Sequence, residues 1–310
     1  MNKVIITAAL TGAVTVPTQT PYLPYTIEQL AEDAEQCARA GAAIIHIHAR
    51  NPANGAPSSD MELFGEILKA IKARTDAVIC TTTGGGVGMT PADRVRVVPM
   101  WQPELATCNM GSMNFSVHPA ARRFADSDYK FPWEKQWLLG SEDFIFPNTF
   151  ASIKHFLGEM KKTNTRPEFE IYDVGHLYNL DFMVREGLVE KPIWLQFVMG
   201  VLGGIRATLY DLTHLLDTAN RLFGSENYHW SVIGVGYPQQ FHMCTAAIML
   251  GGHARVGLED NIFVSRGKLG RNHELVEKIV RIAAEFDREP ATPAEVRAFL
   301  NLKGKDQVGF

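Results

Sequence analysis

The run Ala43-Ile44-Ile45-His46-Ile47-His48-Ala49-Arg50 constrains the fold more than any other segment of the chain. Its leading residues are apolar without alternation, the pattern of a strand covered on both faces, and such strands belong to parallel sheets wrapped by helices. Side chains alternate along a strand, so His46 and His48 share a face at its C-terminal end while Ile47 turns away. Parallel α/β proteins build their active sites at that end, where two imidazoles on one face can hold a divalent metal. A pair of hydrogen-bonded histidines is the alternative.

Seven further β-rich runs alternate with amphipathic helical segments. The strands are expected at Val4–Leu10, Ala43–His48, Ala77–Thr82, Leu105–Met110, Phe169–Val174, Ile193–Met199, Trp230–Val235 and Ala254–Glu259. Eight such units predict a (β/α)8 TIM barrel as one domain over residues 1–310, with Phe144–Pro147 set aside as an extra segment. Thr26 with Gln29 forms a capping box before a helix that stops at Gly41, and Ser59 with Glu62 reads the same way before Leu63, Ile67 and Ile71. Thr90-Pro91 combines N-cap chemistry with proline at the first helical position. Residues 115–143, after the fourth strand, hold Arg122, Arg123, Tyr129, Trp133 and Trp137 and exceed an ordinary βα loop, a candidate lid or subunit contact.

At 310 residues the chain fits one barrel, and its 46% hydrophobic content is ample for a core. A net charge of −4 with no basic run interleaved with aromatics argues against nucleic acid. Cys37, Cys80, Cys108 and Cys244 are scattered, so neither a disulfide framework nor a thiolate zinc site is expected. Met1 leads directly into a strand, and no apolar stretch approaches a membrane span, which points to a cytoplasmic protein.

The last strand runs into Arg255-Val256-Gly257-Leu258-Glu259-Asp260-Asn261. Alternation along Ala254–Glu259 puts Arg255, Gly257 and Glu259 on one face. In a closed barrel this strand adjoins the first, whose other neighbour carries His46 and His48. Glu259 can then complete a site of two histidines and one carboxylate that leaves positions open for water or substrate. The bland reading of Glu259 is an ion pair with Arg255. Asp260 beside Arg255 reads as a positioned general base, whose basicity the pairing lowers; a metal-bound ketone would offset that by stabilising an enolate. The combination suggests carbanion chemistry next to a carbonyl, with a structural salt bridge as the alternative.

Other polar groups collect at strand ends. Thr81-Thr82-Thr83-Gly84-Gly85-Gly86-Val87-Gly88 offers backbone amides and a hydroxyl from Thr82 or Thr83 to an anion, without matching a Walker A or GxGxxG pattern. Thr107 and Asn109 end the fourth strand, and Glu170 shares a face with Glu168 and Tyr172. A carboxylate inside a barrel needs an arginine or a ligand. His176, His242 and His253 read as structural histidines.

Together these motifs resemble the β-keto acid cleavage enzymes, the family that includes 3-keto-5-aminohexanoate cleavage enzyme. The resemblance spans Ile6 to Ala13, the His46/His48 strand, the Thr-Gly-Gly turn, Asn109-Met110-Gly111, Pro167-Glu168-Phe169-Glu170 and Arg255 to Asn261. It implies a TIM barrel, a homo-oligomer with a tetramer favoured, and zinc held by His46, His48 and Glu259. It implies an exchange in which a β-keto acid and acetyl-CoA give acetoacetate and a new acyl-CoA. Asp260 matches the family's base, oriented by Arg255. Thr82 stands where the family has a substrate-contacting serine, with Thr83, Gly84 and Gly85 beside it, and Thr107 and Glu170 match a further active-site threonine and glutamate. Val14 falls where the aminohexanoate enzyme carries a glutamate that reads an ammonium, so the expected substrate is an uncharged β-keto acid. Another metal-dependent barrel, a hydrolase or aldolase, and a metal-free binding protein are the competing readings. An amidohydrolase fits poorly, because the sixth strand lacks a histidine.

Overall fold

Strands that are apolar on both faces must be enclosed on both, and closing the sheet on itself does this without leaving an edge. In the computed structural model, which describes residues 2–85 and 89–310, eight parallel strands close into such a barrel. They are β1 (Ile6–Ala9), β2 (Ile44–Ile47), β3 (Val78–Thr81), β4 (Leu105–Asn109), β5 (Arg166–Ile171), β6 (Ile193–Met199), β7 (Tyr228–Gly234) and β8 (His253–Val256). Each pairs with its sequence neighbour, and β8 closes on β1 with Thr7 opposite Arg255. The fold is a TIM barrel. Among the described residues no helix is long and apolar enough to cross a membrane.

Helices cover the outside, and their apolar faces meet the strands in one continuous core that includes Ile45, Ile47, Phe64, Phe156, Phe169 and Leu275. A second cluster of Ile5, Ile44, Val78, Cys80, Leu105 and Trp194 fills the N-terminal end, where the helix Pro293–Leu300 contributes Val296 and Leu300 as a plug. All four cysteines are buried free thiols. His176 and His253 each accept a backbone N–H, from Tyr172 and Ile5, while His242 is exposed.

The helix boundaries follow the local chemistry, with one revision. Thr26 and Gln29 cap the helix Ile27–Ala40, which ends at Gly41 with φ +117°, and Thr90 caps the helix beginning at Pro91. The helix Met61–Arg74 is capped by Asp60 rather than Ser59, because the Asp60 carboxylate accepts from the N–H groups of both Glu62 and Leu63. The strands shift as well. The fifth begins at Arg166 instead of Phe169 and ends before Asp173, which instead caps the helix Val174–Arg185. Ile145–Phe146 pairs with Met113–Asn114 in a small hairpin outside the barrel.

Residues 115–143 rise over the barrel mouth as a 3-10 turn at His118–Arg123 and a helix at Pro132–Gly140. Val16 packs with Ala121 and Leu138 beneath them, flanked by Trp133 and Trp137. The fully buried Glu134 accepts from the backbone N–H and hydroxyl of Thr18, and Trp133 Nε1 donates to the Asn54 carbonyl. Ser116 N–H bonds the Leu202 carbonyl on the far side. The excursion is thereby fastened to the loops after β1, β2 and β6.

One buried amide ties the frame together. Asn272 accepts from Leu258 N–H at 2.7 Å and donates to the Leu10 carbonyl at 2.9 Å and to the Asp33 carboxylate at 2.5 Å. Burial pushes the Asp33 carboxyl up to about 6, against the lowering effect of the Asn272 hydrogen bond. Between its ordinary value of 3.8 and about 6 the native state therefore holds a proton that the unfolded state has released. Stability must fall as pH rises through that window. Asp33→Asn is expected to flatten this slope while keeping an acceptor for Asn272. Unfolding midpoints measured in urea at pH 4, 5, 6 and 7 test it, and parallel curves for both proteins would refute it.

Candidate active site

His46 closes β2 one residue before its end, and His48 lies just past the strand, so alternation brings both into the mouth. Their rings stand 5.2 Å apart and nearly perpendicular, at 75°. Glu259 faces them, with carboxylate oxygens 3.5 Å from His46 Nε2 and 3.4 Å from His48 Nε2. One candidate ligand atom from each residue lies within 4.8 Å of the other two. Burial holds His46 well below the usual imidazole range, so it is neutral. Burial alone would raise the Glu259 carboxyl, but Arg255 and the two imidazoles hold it well below the carboxylate range. His46 Nδ1 and one Glu259 oxygen, both buried, have no hydrogen-bond partner among the described residues. Two imidazoles, that of His46 neutral, facing an ionised, under-satisfied carboxylate form a donor set suited to a divalent cation.

Glu259 does not arrive along a strand as expected. The strand β8 stops at Val256, and Gly257 turns the chain with φ +149°. A Cβ there would lie 2.0 Å from the Ala9 carbonyl oxygen, so only glycine permits this approach. Glu259 is thus carried by a turn, its N–H bonded to the Ala9 carbonyl. The loop after β1 holds it from the other side. Gly12, at φ +56°, leaves the space that the Glu259 stem fills, where a Cβ would come within 2.3 Å of Cγ. Thr15 Oγ1 donates to the Leu258 carbonyl. The fully buried Arg50 fastens this loop by donating to the carbonyls of Thr11, Gly12, Thr15 and Gly55. Burial pushes Arg50 down to about 9.

Arg255 occupies the centre of the floor with 2% of its side chain exposed. Its Nε and Nη2 fork onto Asp260 at 3.0 and 3.2 Å, Nη2 also meets Glu259 at 2.9 Å, and Nη1 lies 3.6 Å from Glu170. Burial raises Asp260 to about 6 despite the arginine, and raises Glu170 to about 8. Pairing was expected to weaken Asp260 as a base. Burial outweighs it, leaving a carboxylate that is ionised at neutral pH and more basic than an exposed one. Below this layer Glu168, also raised by burial, accepts from Trp194 Nε1 at 2.7 Å.

These groups open into a cavity of about 770 Å³. Its lining includes His46, His48, Thr82, Gly84, Gly85, Asn109, Glu170, Arg255, Glu259 and Asp260. Thr82 Oγ1 accepts from Gly84 N–H at 2.8 Å, leaving its own proton available to a ligand. Thr83 and Thr107 are fully enclosed instead and bond to each other, Thr83 N–H to Thr107 Oγ1 and Thr83 Oγ1 to the Thr107 carbonyl. They brace β3 against β4 behind the wall. Gly86, Val87 and Gly88 of the glycine-rich turn lie outside the described residues.

Sequence reasoning underweighted three residues. Asn109 stands in the sequence as a polar strand end and part of the Asn109-Met110-Gly111 motif with no role attached, yet it lines the cavity 1% exposed with both amide atoms unpartnered among the described residues. Arg50 and Gly12 drew no functional reading. Arg50, two residues beyond His48 in a buried segment, was the one legible signal.

A barrel mouth that joins an open cluster of two histidines and a glutamate to an arginine-held acid defines a (β/α)8 enzyme. The model of the beta-keto acid cleavage enzyme family matches residues 3–302, and the chain belongs to that family. It is 45% identical over 310 residues to the 3,5-dioxohexanoate:acetyl-CoA acetone transferase of Paraburkholderia graminis, covering 100% of this chain and 99% of that protein. It is 37% identical over 308 residues to the 3-keto-5-aminohexanoate cleavage enzyme of Fusobacterium nucleatum, covering 98% and 99%. The solved structure of apo ObcA superposes with a TM-score of 0.70 at 20% identity, covering 91% of this chain and 66% of that one, and supports the fold.

Gly12→Ala should displace Glu259, because the added methyl occupies its stem and the backbone there disfavours a side chain. We expect family activity to fall at least about a hundredfold, with a modest fall in melting temperature of a few degrees. Undiminished turnover by this variant would show that Glu259 tolerates a different path.

Proposed function

We propose that this chain is a zinc-dependent, acetyl-CoA-dependent acyltransferase that converts an uncharged β-keto acid and acetyl-CoA into acetoacetate and a new acyl-CoA. The observation that carries this reading is the juxtaposition of His46, His48 and Glu259 with the Arg255–Asp260 pair on one cavity floor. Names of relatives support it, since several describe acetyl-CoA transferases. A zinc ion held by the three ligands would supply a Lewis acid for the keto acid's oxygens and for negative charge developing beside them.

The chain's own residues account for the proton movements. Asp260, ionised at neutral pH and held by the Arg255 fork, removes a proton from the carbon between the ketone and the carboxylate. That carbon forms a bond to the acetyl carbonyl carbon, and the CoA thiolate leaves. The thiolate then adds to the former ketone carbon. Cleavage of the adjoining carbon–carbon bond yields the new acyl-CoA and the acetoacetate carbanion, which recovers the proton from Asp260. Arg255 keeps its positive charge throughout and offsets the carboxylates around it. Thr82 and Asn109 offer hydrogen bonds to substrate oxygens.

The cavity also bears on substrate charge. Its carboxylates are Glu170, Glu259 and Asp260, all engaged by Arg255, while the walls above include Val14, Phe115, Val117, Ala120, Leu138, Phe144 and Val201. An ammonium on the far end of a substrate would be desolvated there without a partner. This agrees with the 3,5-dioxo acid in the name of one relative and separates the chain from the aminohexanoate enzymes.

Three measurements test the reading. With acetyl-CoA and a panel of β-keto acids, acetoacetate and the new acyl-CoA should form in equal amounts, and Asp260→Asn should lower kcat by at least about a hundredfold. Hydrolysis of acyl-CoA without acetoacetate would instead indicate a hydrolase. Elemental analysis should find zinc in the purified protein and little in Glu259→Ala; full activity in metal-stripped protein would remove the metal from the proposal. Val14→Glu should shift preference toward a β-keto acid bearing an amino group by about tenfold or more. Preferential turnover of such a substrate by the native protein would overturn the charge argument.

A further inference from the structure

Tyr172 stands just past the end of β5, two residues beyond Glu170 and on the same face. Only 8% of it is exposed, and it lines the cavity. Its backbone is fixed at both ends, the N–H bonded to His176 Nδ1 and the carbonyl accepting from Ile205 N–H. Its ring packs with Val198 and Ile233, and meets Phe115 and His176 edge-on at centroid distances of 6.2 Å. Every one of these contacts would be available to phenylalanine. The hydroxyl is what sets tyrosine apart, and it has no hydrogen-bond partner among the described residues.

The residue is largely enclosed, but it faces the cavity, so a hydroxyl with no partner among the described residues is open to an acceptor from outside the chain. Burial, reinforced by the Glu170 carboxyl, keeps the phenol protonated, which makes it a donor. The ring lies between the apolar wall of Val198, Ile233 and Phe115 and the charged floor, and beside carboxylates a neutral oxygen is the acceptor that adds no like charge. We infer that the Tyr172 hydroxyl donates a hydrogen bond to a carbonyl oxygen of the bound reactants. Nothing in the family assignment or in the proton path above uses this group. The inference rests on the acyl-exchange reading. Two carbonyls share this chemistry: the thioester oxygen of acetyl-CoA, and a second ketone oxygen further along the keto acid.

Tyr172→Phe tests the assignment in the zinc-loaded full-length protein, because it removes only the oxygen. Two keto acids of equal length, 3-oxohexanoate and 3,5-dioxohexanoate, serve as probes with acetyl-CoA. If the thioester is the acceptor, kcat/KM should fall roughly ten- to a hundredfold with both acids. If the distal ketone is the acceptor, the same loss should appear with the dioxo acid alone, and 3-oxohexanoate should be turned over as before. In either case the melting temperature of the free protein should not drop, since the hydroxyl bonds nothing among the described residues. Unchanged kinetics with both acids would overturn the assignment, as would a kinetic loss accompanied by a melting temperature lowered by several degrees. Native protein inactive on both acids would bring down the acyl-exchange reading itself, and this assignment with it. An active native protein matched by the phenylalanine variant would defeat Tyr172 alone.

Discussion

The site depends on one buried cation. Arg255 is almost wholly enclosed, yet it meets Asp260, Glu259 and Glu170. Removing a guanidinium from water is costly, and only a dense set of acceptors makes that tolerable. The carboxylates are equally dependent on the arginine. It holds Glu259 in its ionised form, and by forking onto Asp260 it fixes the direction in which that acid can accept a proton. The two carboxylates next to each other in sequence thereby acquire different characters. Glu259, facing two imidazoles, is strongly acidic, whereas Asp260, deep and farther from them, is pushed up to about 6. Environment gives the two carboxylates opposite proton affinities although the residues are neighbours.

Around this centre, backbone atoms do most of the positioning. Among the described residues the hydrogen bonds of the Arg50 side chain all go to carbonyl oxygens, and Asn272 uses both amide protons and its oxygen on two carboxyl-end loops and one acid. Both hold loops whose side chains could not be placed by strand geometry. The distinction matters because a loop-borne ligand is as precise as the hydrogen bonds that restrain it.

Much of this was legible in the sequence, and the exceptions have physical causes. The barrel could be read from apolar runs and caps because those signals are local. The His46/His48 pair was readable because alternation fixes it within one strand. Glu259 was assigned to the right cluster by the wrong path, since Gly257 breaks the strand at a contact with Ala9 that no local pattern reports. Thr83 and Thr107 lie near strand ends as expected, but they are bonded to each other and enclosed behind the cavity wall. Ser59 and Asp60 both suit an N-cap, and only backbone geometry chooses between them. Asn109 gave no clue to its role, because an unpartnered amide is visible only once its neighbours are known.

The excursion over the mouth has a wider consequence. It reaches the barrel through Glu134, Trp133 and Ser116, and supplies much of the apolar wall, while His46, His48, Glu259, Asp260 and Arg255 all belong to strand ends and the turns directly beside them. The apolar wall and the charged floor are therefore largely separate stretches of polypeptide. The two meet in the loop after β1, which carries Val14 of the wall between Gly12 and Thr15 and is tied to the excursion by Glu134. Such a division lets a lineage exchange acyl specificities while inheriting its reaction intact.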